Sequence, residues 1–124
     1  MELDVLNQNE KKTRIIQELV PGKQITLAHI IAHPEDILYR KLGLDPAVDH
    51  AGAIGILTLS PSETAIIAGD IALKSSGVEL GFVDRFSGTV IVTGTVSQVE
   101  AALTAIREYA IDKLGFSVCE LTRT

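Results

Sequence analysis

The order of apolar stretches, and of the residues that separate them, most constrains how this chain can fold. Five stretches rich in β-branched residues predict strands, and three other stretches have helical spacing or helix-start residues. Strands interleaved with helices, with one hairpin, are typical of an α+β sandwich in which helices cover an antiparallel or mixed sheet. The predicted strands cover 24–32, 53–59, 78–84, 89–95 and 116–122, and the predicted helices cover 34–43, 60–76 and 97–114.

Two of the helices begin with residues that satisfy the free backbone groups at a helix start. Ser60 and Glu63 fit a capping box, with Pro61 at the first helical position. Ser97 and Glu100 fit a second capping box. We therefore expect the second and third helices to begin at these residues.

The first helix and the second strand carry signals of their own. Pro34 suits the first helical position, because an N–H group there would have no partner within the helix. Gly43 suits the end of the helix. The stretch 53–59 is almost continuously apolar, which predicts a strand covered on both faces.

The source of the hydrophobicity suggests burial between subunits. Mean hydropathy is +0.28 although aromatic residues make up only 4 % of the chain and tryptophan is absent. The 124 residues fit one domain, predicted over 14–124 after a flexible tail at 1–13. A domain of this size keeps a large surface for its volume, so we expect part of that surface to be covered by other copies. An alanine-rich core is the simpler alternative.

Charge and cysteine content exclude several classes of function. Eleven basic and sixteen acidic side chains give a net charge of −5, which argues against nucleic-acid and anionic-membrane surfaces. Neither a membrane-spanning apolar run nor a signal peptide is predicted from the sequence. The single cysteine excludes a disulfide within the chain and favours a protein of the reducing cytosol.

No group of residues fits a catalytic, metal or cofactor site, and we expect none of the three. His33 stands at a helix start, where a capping or exposed role is expected, and the sequence offers it no metal-ligating partners. The glycines form no phosphate-binding loop. The residues alone leave three alternatives open: an oligomeric structural protein, a small-ligand-binding regulatory module on a similar sandwich, and a small enzyme.

Three long segments resemble one known family over nearly the whole chain. They read RIIQELVPGKQITLAHIIAHP (14–34), DHAGAIGILTLSPSETAIIAGDIALK (49–74) and VELGFVDRFSGTVIVTG (78–94). They are similar to bacterial microcompartment shell proteins, in the circularly permuted, ferredoxin-like form found in ethanolamine, propanediol and choline utilisation. The permutation shows in 25–43, which supplies the strand, turn and short helix that unpermuted members carry at the C-terminus.

The resemblance implies a structural role without catalysis in the bacterial cytoplasm. Six copies form a disc through head-to-tail contacts, and the discs tile with other shell proteins around encapsulated enzymes. Lys74 matches the family's edge lysine, which lies along the next hexamer. His33 and Pro34 match a second edge contact, where unpermuted members have Arg in place of His33. Gly52 is the expected position of a bend in the disc.

The resemblance also implies two features on the six-fold axis. The hairpin loop Arg85-Phe86-Ser87-Gly88 matches the loop that faces the axis. Arginines pointing inward would attract anions there, whereas phenylalanines would close the opening. The stretch 14–20 matches a strand of a small axial barrel, with apolar side chains on both faces. The barrel residues are Ile15, Ile16, Gln17, Glu18 and Leu19.

Overall fold

The computed structural model describes residues 22–44 and 52–124. The flexible tail predicted at 1–13 and the barrel strand predicted at 14–20 lie outside these residues. The strands are β1 (Gln24–Ala32), β2 (Gly52–Ser60), β3 (Glu79–Asp84), β4 (Thr89–Thr95), β5 (Ser117–Val118) and β6 (Thr122–Arg123). The helices are α1 (Asp36–Leu42), α2 (Thr64–Ser75) and α3 (Val96–Asp112).

The strands form one mixed sheet of six strands. Its order is β3-β4-β2-β1, and β5 and β6 both pair with the outer side of β1. Strands β1 to β4 pair with one another antiparallel, whereas β5 and β6 run parallel to β1. Helices α2 and α3 pack on one face of the sheet, as the expected α+β sandwich requires. No helix of the described residues is both long and apolar enough to cross a membrane.

The core lies between the sheet and the two long helices, and it consists mainly of small and aliphatic residues. A Cβ added at Gly55 of β2 would lie 2.7 Å from Val99 Cγ1 and 2.8 Å from Leu103 Cδ1, both on α3. Glycine at this position therefore lets α3 approach the strand closely. The largest fully buried side chains are Ile25, Ile30, Ile54, Leu57, Leu103, Ile106, Val90, Val92 and Val99.

The prediction that the second strand is covered on both faces holds for only part of its length. Residues 52–55 are all buried. From Ile56 onward, buried residues alternate with partly exposed ones, because the helices cover only one face of the sheet there.

The predicted starts of the first two helices are wrong by two to four residues. Helix α1 begins at Asp36 rather than Pro34, since Glu35 still has an extended backbone, and it ends as predicted at Gly43. Helix α2 begins at Thr64 without a capping box. Ser60 does not cap it because Ser60 remains in the ladder of β2, paired with Gln24 of β1.

The third helix has a capping box, but at residues other than those predicted. The backbone N–H of Gln98 donates to Thr95 Oγ1 at 3.1 Å, and the N–H of Thr95 donates to Gln98 Oε1 at 2.9 Å. Ser97 and Glu100 are two residues too late, because β4 passes directly into the helix at Thr95.

The single strand predicted at 116–122 is divided into β5 and β6. Between them, the carbonyl of Cys119 accepts hydrogen bonds from Arg107 Nε at 3.1 Å and Nη2 at 2.9 Å. The guanidinium of Arg107 on α3 thus satisfies this carbonyl where the strand is interrupted.

Candidate assembly surfaces

The hairpin loop 85–88 is tied to the end of β2. The N–H of Gly88 donates to the carbonyl of Asp84 at 2.8 Å, and the carbonyl of Gly88 accepts from the N–H of Leu59 at 2.8 Å. Gly88 has a φ of 79°, and a Cβ there would collide with the carbonyl oxygen of Leu59. Only glycine fits this conformation and this space, so the loop has a defined position on the sheet.

Asp84 fixes the start of the same loop, a role that the sequence analysis did not assign. Its Oδ1 accepts a hydrogen bond from the N–H of Phe86 at 2.9 Å. This bond is the main reason why the pKa of the Asp84 carboxyl lies below its ordinary value. A hydrogen bond from the hydroxyl of Ser87 lowers the pKa further. The sequence does contain a pattern that could have predicted this role. Asp84 stands two residues before Phe86 at the tip of the hairpin, and an aspartate side chain in that place commonly accepts a hydrogen bond from the backbone.

The tip of the loop presents Arg85 and Phe86 as one stacked unit. Phe86 is 80 % exposed, the most exposed of the large hydrophobic residues described. The Arg85 guanidinium carbon lies 5.0 Å from the centroid of the Phe86 ring. The guanidinium group and the aromatic ring therefore share one exposed site at the tip of the loop.

The predicted edge residues His33 and Pro34 lie in the turn before α1, at the end of the sheet opposite loop 85–88. The N–H of His33 donates to the carbonyl of Gly52 at 2.9 Å, which joins two predicted site residues directly. His33 is exposed and has a φ of 53°, a conformation that few non-glycine residues adopt. A shallow polar depression beside it is lined by His33, Pro34, Glu35, Asp36, Ile37 and Arg40.

Lys74 is an exposed residue in the last turn of α2. Its side chain is 76 % exposed, and its Nζ lies 2.9 Å from Asp70 Oδ2, one turn earlier. The hydrogen bond and charge of Asp70 raise the pKa of Lys74, so its ammonium group is charged at neutral pH. An exposed pair of this kind adds little to stability, which leaves the ammonium group available to another chain.

The strand register places these residues at two opposite ends of the sheet. Thr58 pairs with Thr89 at the end that carries loop 85–88, which we call the loop end. Gly52 pairs with Thr95 at the other end, which we call the far end. Thr58 is six residues after Gly52 on β2, so these two positions are about 20 Å apart.

The far end brings three of the four remaining predicted site residues together in the chain's own structure. His33, Pro34 and Gly52 meet at the turn between β1 and α1. Lys74 lies at the same end because α2 ends just before β3, whose first residue Glu79 pairs with Thr93. The barrel residues 15–19 lie outside the described residues.

The ionisable and thiol side chains of the described residues do not cluster as a metal site would require. No group of three or more His, Cys, Asp or Glu side chains within them is placed to hold a metal ion. Both ring nitrogens of His29 contact threonine hydroxyls, Thr122 Oγ1 at 2.6 Å and Thr124 Oγ1 at 2.9 Å. The polar depression at His33 is open and lies at the surface of the domain.

Comparison with known proteins identifies the family. A family model described as "BMC domain" matches residues 53–120. Two bacterial microcompartment shell proteins of Salmonella typhimurium, EutS and PduU, are similar to this chain. EutS is 55 % identical, and the match covers 91 % of this chain and 98 % of EutS. PduU is 56 % identical, and the match covers 90 % of this chain and 93 % of PduU.

A solved structure agrees with these sequence matches. The structure described as "CutR flat hexamer, form 1" is 50 % identical, with a TM-score of 0.78, and the match covers 85 % of this chain and 94 % of that one. The chain therefore belongs to the BMC-domain family of bacterial microcompartment shell proteins.

Proposed function

We propose that this chain forms hexameric tiles of a microcompartment shell in the bacterial cytoplasm, around encapsulated enzymes of the ethanolamine- or choline-utilising type. The relatives named as shell proteins, and the hexamer formed by CutR, support the tile itself. The observation that carries the proposal is the separation of two exposed groups, loop 85–88 and the Lys74–His33 group, at opposite ends of the sheet. A radial subunit of a disc needs this arrangement, one end at the axis and one at the outer edge.

The loop end faces the six-fold axis. Six copies of the stacked Arg85–Phe86 unit then surround the opening, with the rings narrowing it and the guanidinium groups giving it positive charge. Ser87 and Gly88 complete the turn, and its bonds to Asp84 and Leu59 keep the opening at a fixed width. An opening of this kind favours small anions over cations.

The far end contacts the next tile. Lys74 extends along the neighbouring chain and donates to its backbone, because an exposed ammonium group with three donors can keep Asp70 as a partner and still bond elsewhere. His33 and Pro34 lie against the same neighbour. Gly52, bonded to His33, allows the tile to bend at this position.

The segment 14–20 forms an axial barrel above the opening, through residues 15–19 of the six copies. Such a barrel limits free metabolite flow and offers a docking feature for cargo or for another shell protein. Deletion of residues 1–20 is expected to leave hexamers intact and to reduce cargo association. Unchanged cargo association in the deletion variant would remove this part of the proposal.

The contact between tiles is tested with a matched pair of lysine variants. Lys74→Ala should keep the hexamer but lose the extended sheets or tubes that we expect the unaltered protein to form at high concentration. Lys113→Ala serves as the control, because Lys113 is also exposed but follows α3 near the loop end. Electron microscopy of both variants decides: sheets that survive in Lys74→Ala would contradict the edge role.

A further inference from the structure

A single residue, Gln98, connects three elements at the far end of the sheet. Gln98 lies in the first turn of α3, and its capping bonds with Thr95 join this helix to the end of β4. Its backbone carbonyl also accepts a hydrogen bond from Ser76 Oγ at 2.8 Å. Ser76 directly follows α2, so Gln98 ties the end of this helix to the start of α3.

The side-chain amide of Gln98 fills a space that two glycines leave open. A Cβ added at Gly77, the second residue after α2, would lie 2.7 Å from Gln98 Nε2. A Cβ added at Gly94 of β4 would lie 2.9 Å from Gln98 Oε1. Neither glycine has a positive φ, so the backbone at both could accommodate alanine, and the closest obstacle is the amide itself. The amide is therefore held between the end of α2 and the end of β4.

The end of α2 depends on this connection because it lacks the backbone cap that ends α1. There, the N–H of Gly43 donates to the carbonyl of Arg40 at 3.1 Å. After α2, Ser76 is already extended, with a φ of −159°, and its N–H makes no backbone bond of this kind within the described part of the chain. The last turn of a helix frays readily when its carbonyl groups lack partners. The bond from Ser76 to Gln98 is then the contact that holds the last turn in place.

Lys74 belongs to that last turn. It lies two residues before Ser76, and its ion pair with Asp70 joins residues one turn apart. Such a pair forms only while the turn between its two members is helical. Fraying of the last turn would therefore leave the ammonium group without a defined direction.

We propose that Ser76 and Gln98 are positioning residues for Lys74, which they hold in a fixed direction for contact with the next tile. This inference rests on the proposed function, in which Lys74 bonds to a neighbouring chain. A lysine on a frayed turn loses conformational freedom when it makes that bond, whereas a lysine on a fixed turn has already lost part of it. The bond between Ser76 and Gln98 thus favours tiling without being part of the contact between tiles.

Three serine variants test the role of this bond. Ser76→Ala removes the donor and should raise the lowest protein concentration at which sheets form by about fivefold, the change expected for one lost hydrogen bond. Ser76→Thr keeps a hydroxyl and suits the extended backbone, so it should restore sheet formation. Ser75→Ala is the matched control and should leave sheet formation unchanged, because the Ser75 hydroxyl donates within its own helix, to the carbonyl of Ala72 at 3.3 Å.

A second measurement separates positioning from general stability. In Ser76→Ala, amide hydrogen exchange measured by mass spectrometry should become faster in the last turn of α2, at 72–76, while light scattering still gives six chains. A merely structural role would instead speed exchange throughout the domain.

Gly77 offers an independent test of the same connection. Gly77→Ala should displace the amide of Gln98 and weaken sheet formation. In a Gln98→Ala background the same change should have little further effect, because the group that it displaces is already absent. Equal and additive effects in the two backgrounds would show that Gly77 does not act through Gln98, and would overturn the proposal.

The outcomes separate this inference from the proposed function. An unaltered protein that forms no sheets, or a Lys74→Ala variant that keeps them, would overturn the proposed edge role itself. With that role intact, a Ser76→Ala variant that forms sheets at the same concentration as the unaltered protein would overturn the positioning alone. Equal weakening in Ser75→Ala, no recovery in Ser76→Thr, or loss of the hexamer in Ser76→Ala would do the same.

Discussion

Two glycines make opposite contributions to packing at the level of single residues. Gly55→Ala should lower the free energy of unfolding by about 1–3 kcal/mol, because its Cβ would press on Val99 and Leu103 inside the core. Gly69→Ala should be neutral or stabilising by up to about 1 kcal/mol, since its Cβ has room and alanine favours a helix. Urea denaturation of both variants measures the difference, and equal effects would contradict the packing described here.

A second residue-level prediction concerns the loop at Arg85–Gly88. Asp84→Ala should speed amide hydrogen exchange in this loop, because the N–H of Phe86 loses its acceptor. Asp84→Asn keeps an acceptor oxygen and should protect the loop much better. Exchange measured by mass spectrometry distinguishes the two variants, and equal protection in both would show that Asp84 does not hold the loop.

The same bond has a defined pH dependence. The pKa of Asp84 is lowered in the folded protein, so the bond is complete above the ordinary value of 3.8. It weakens as the pH falls through the lowered folded-state pKa, where the carboxyl takes up a proton. An NMR titration of the Phe86 amide should show a midpoint below 3.8. A midpoint at or above that value would contradict the hydrogen bond.

At the level of elements, the start of α3 offers a direct comparison between two candidate caps. Thr95→Ala should cost about 1 kcal/mol of stability, because it removes the acceptor for the N–H of Gln98. Ser97→Ala should cost only a few tenths, since Ser97 accepts no bond from the helix backbone. Urea denaturation at one protein concentration measures both, and a larger loss in Ser97→Ala would contradict the observed cap.

The sequence predicted which elements exist better than where they begin. Alternation and helical spacing are local, and they located four strands and three helices within a few residues. The start of α2 depends instead on the pairing of Ser60 with Gln24, thirty-six positions away along the chain. The interruption between β5 and β6 coincides with the hydrogen bond from Arg107 to the carbonyl of Cys119. Neither contact is visible in the local pattern.

At the level of the whole molecule, the sequence indicated the two ends of the domain but not its flank. Lys74, His33 and loop 85–88 were found through the family resemblance, and the register then placed them at opposite ends. Ile66 and Leu73 have the same residue types as the core. Their exposure in the folded domain shows that they lie at the surface, which the local pattern does not reveal.

Under the proposed function, the two ends of the domain have different roles in assembly. The loop end lies at the axis of the ring, and the far end joins one ring to the next. Burial between subunits would then account for the hydrophobic surplus without aromatic residues. Damage to the far end should prevent the tiling and leave the hexamer intact.

The mass of the purified, unaltered protein in solution tests the central claim most directly. Light scattering should give a mass of six chains, and electron microscopy of the same sample at higher concentration should show sheets or tubes of these hexamers. A stable monomer or dimer that forms no larger assembly at any concentration would contradict the account of this chain as a shell tile.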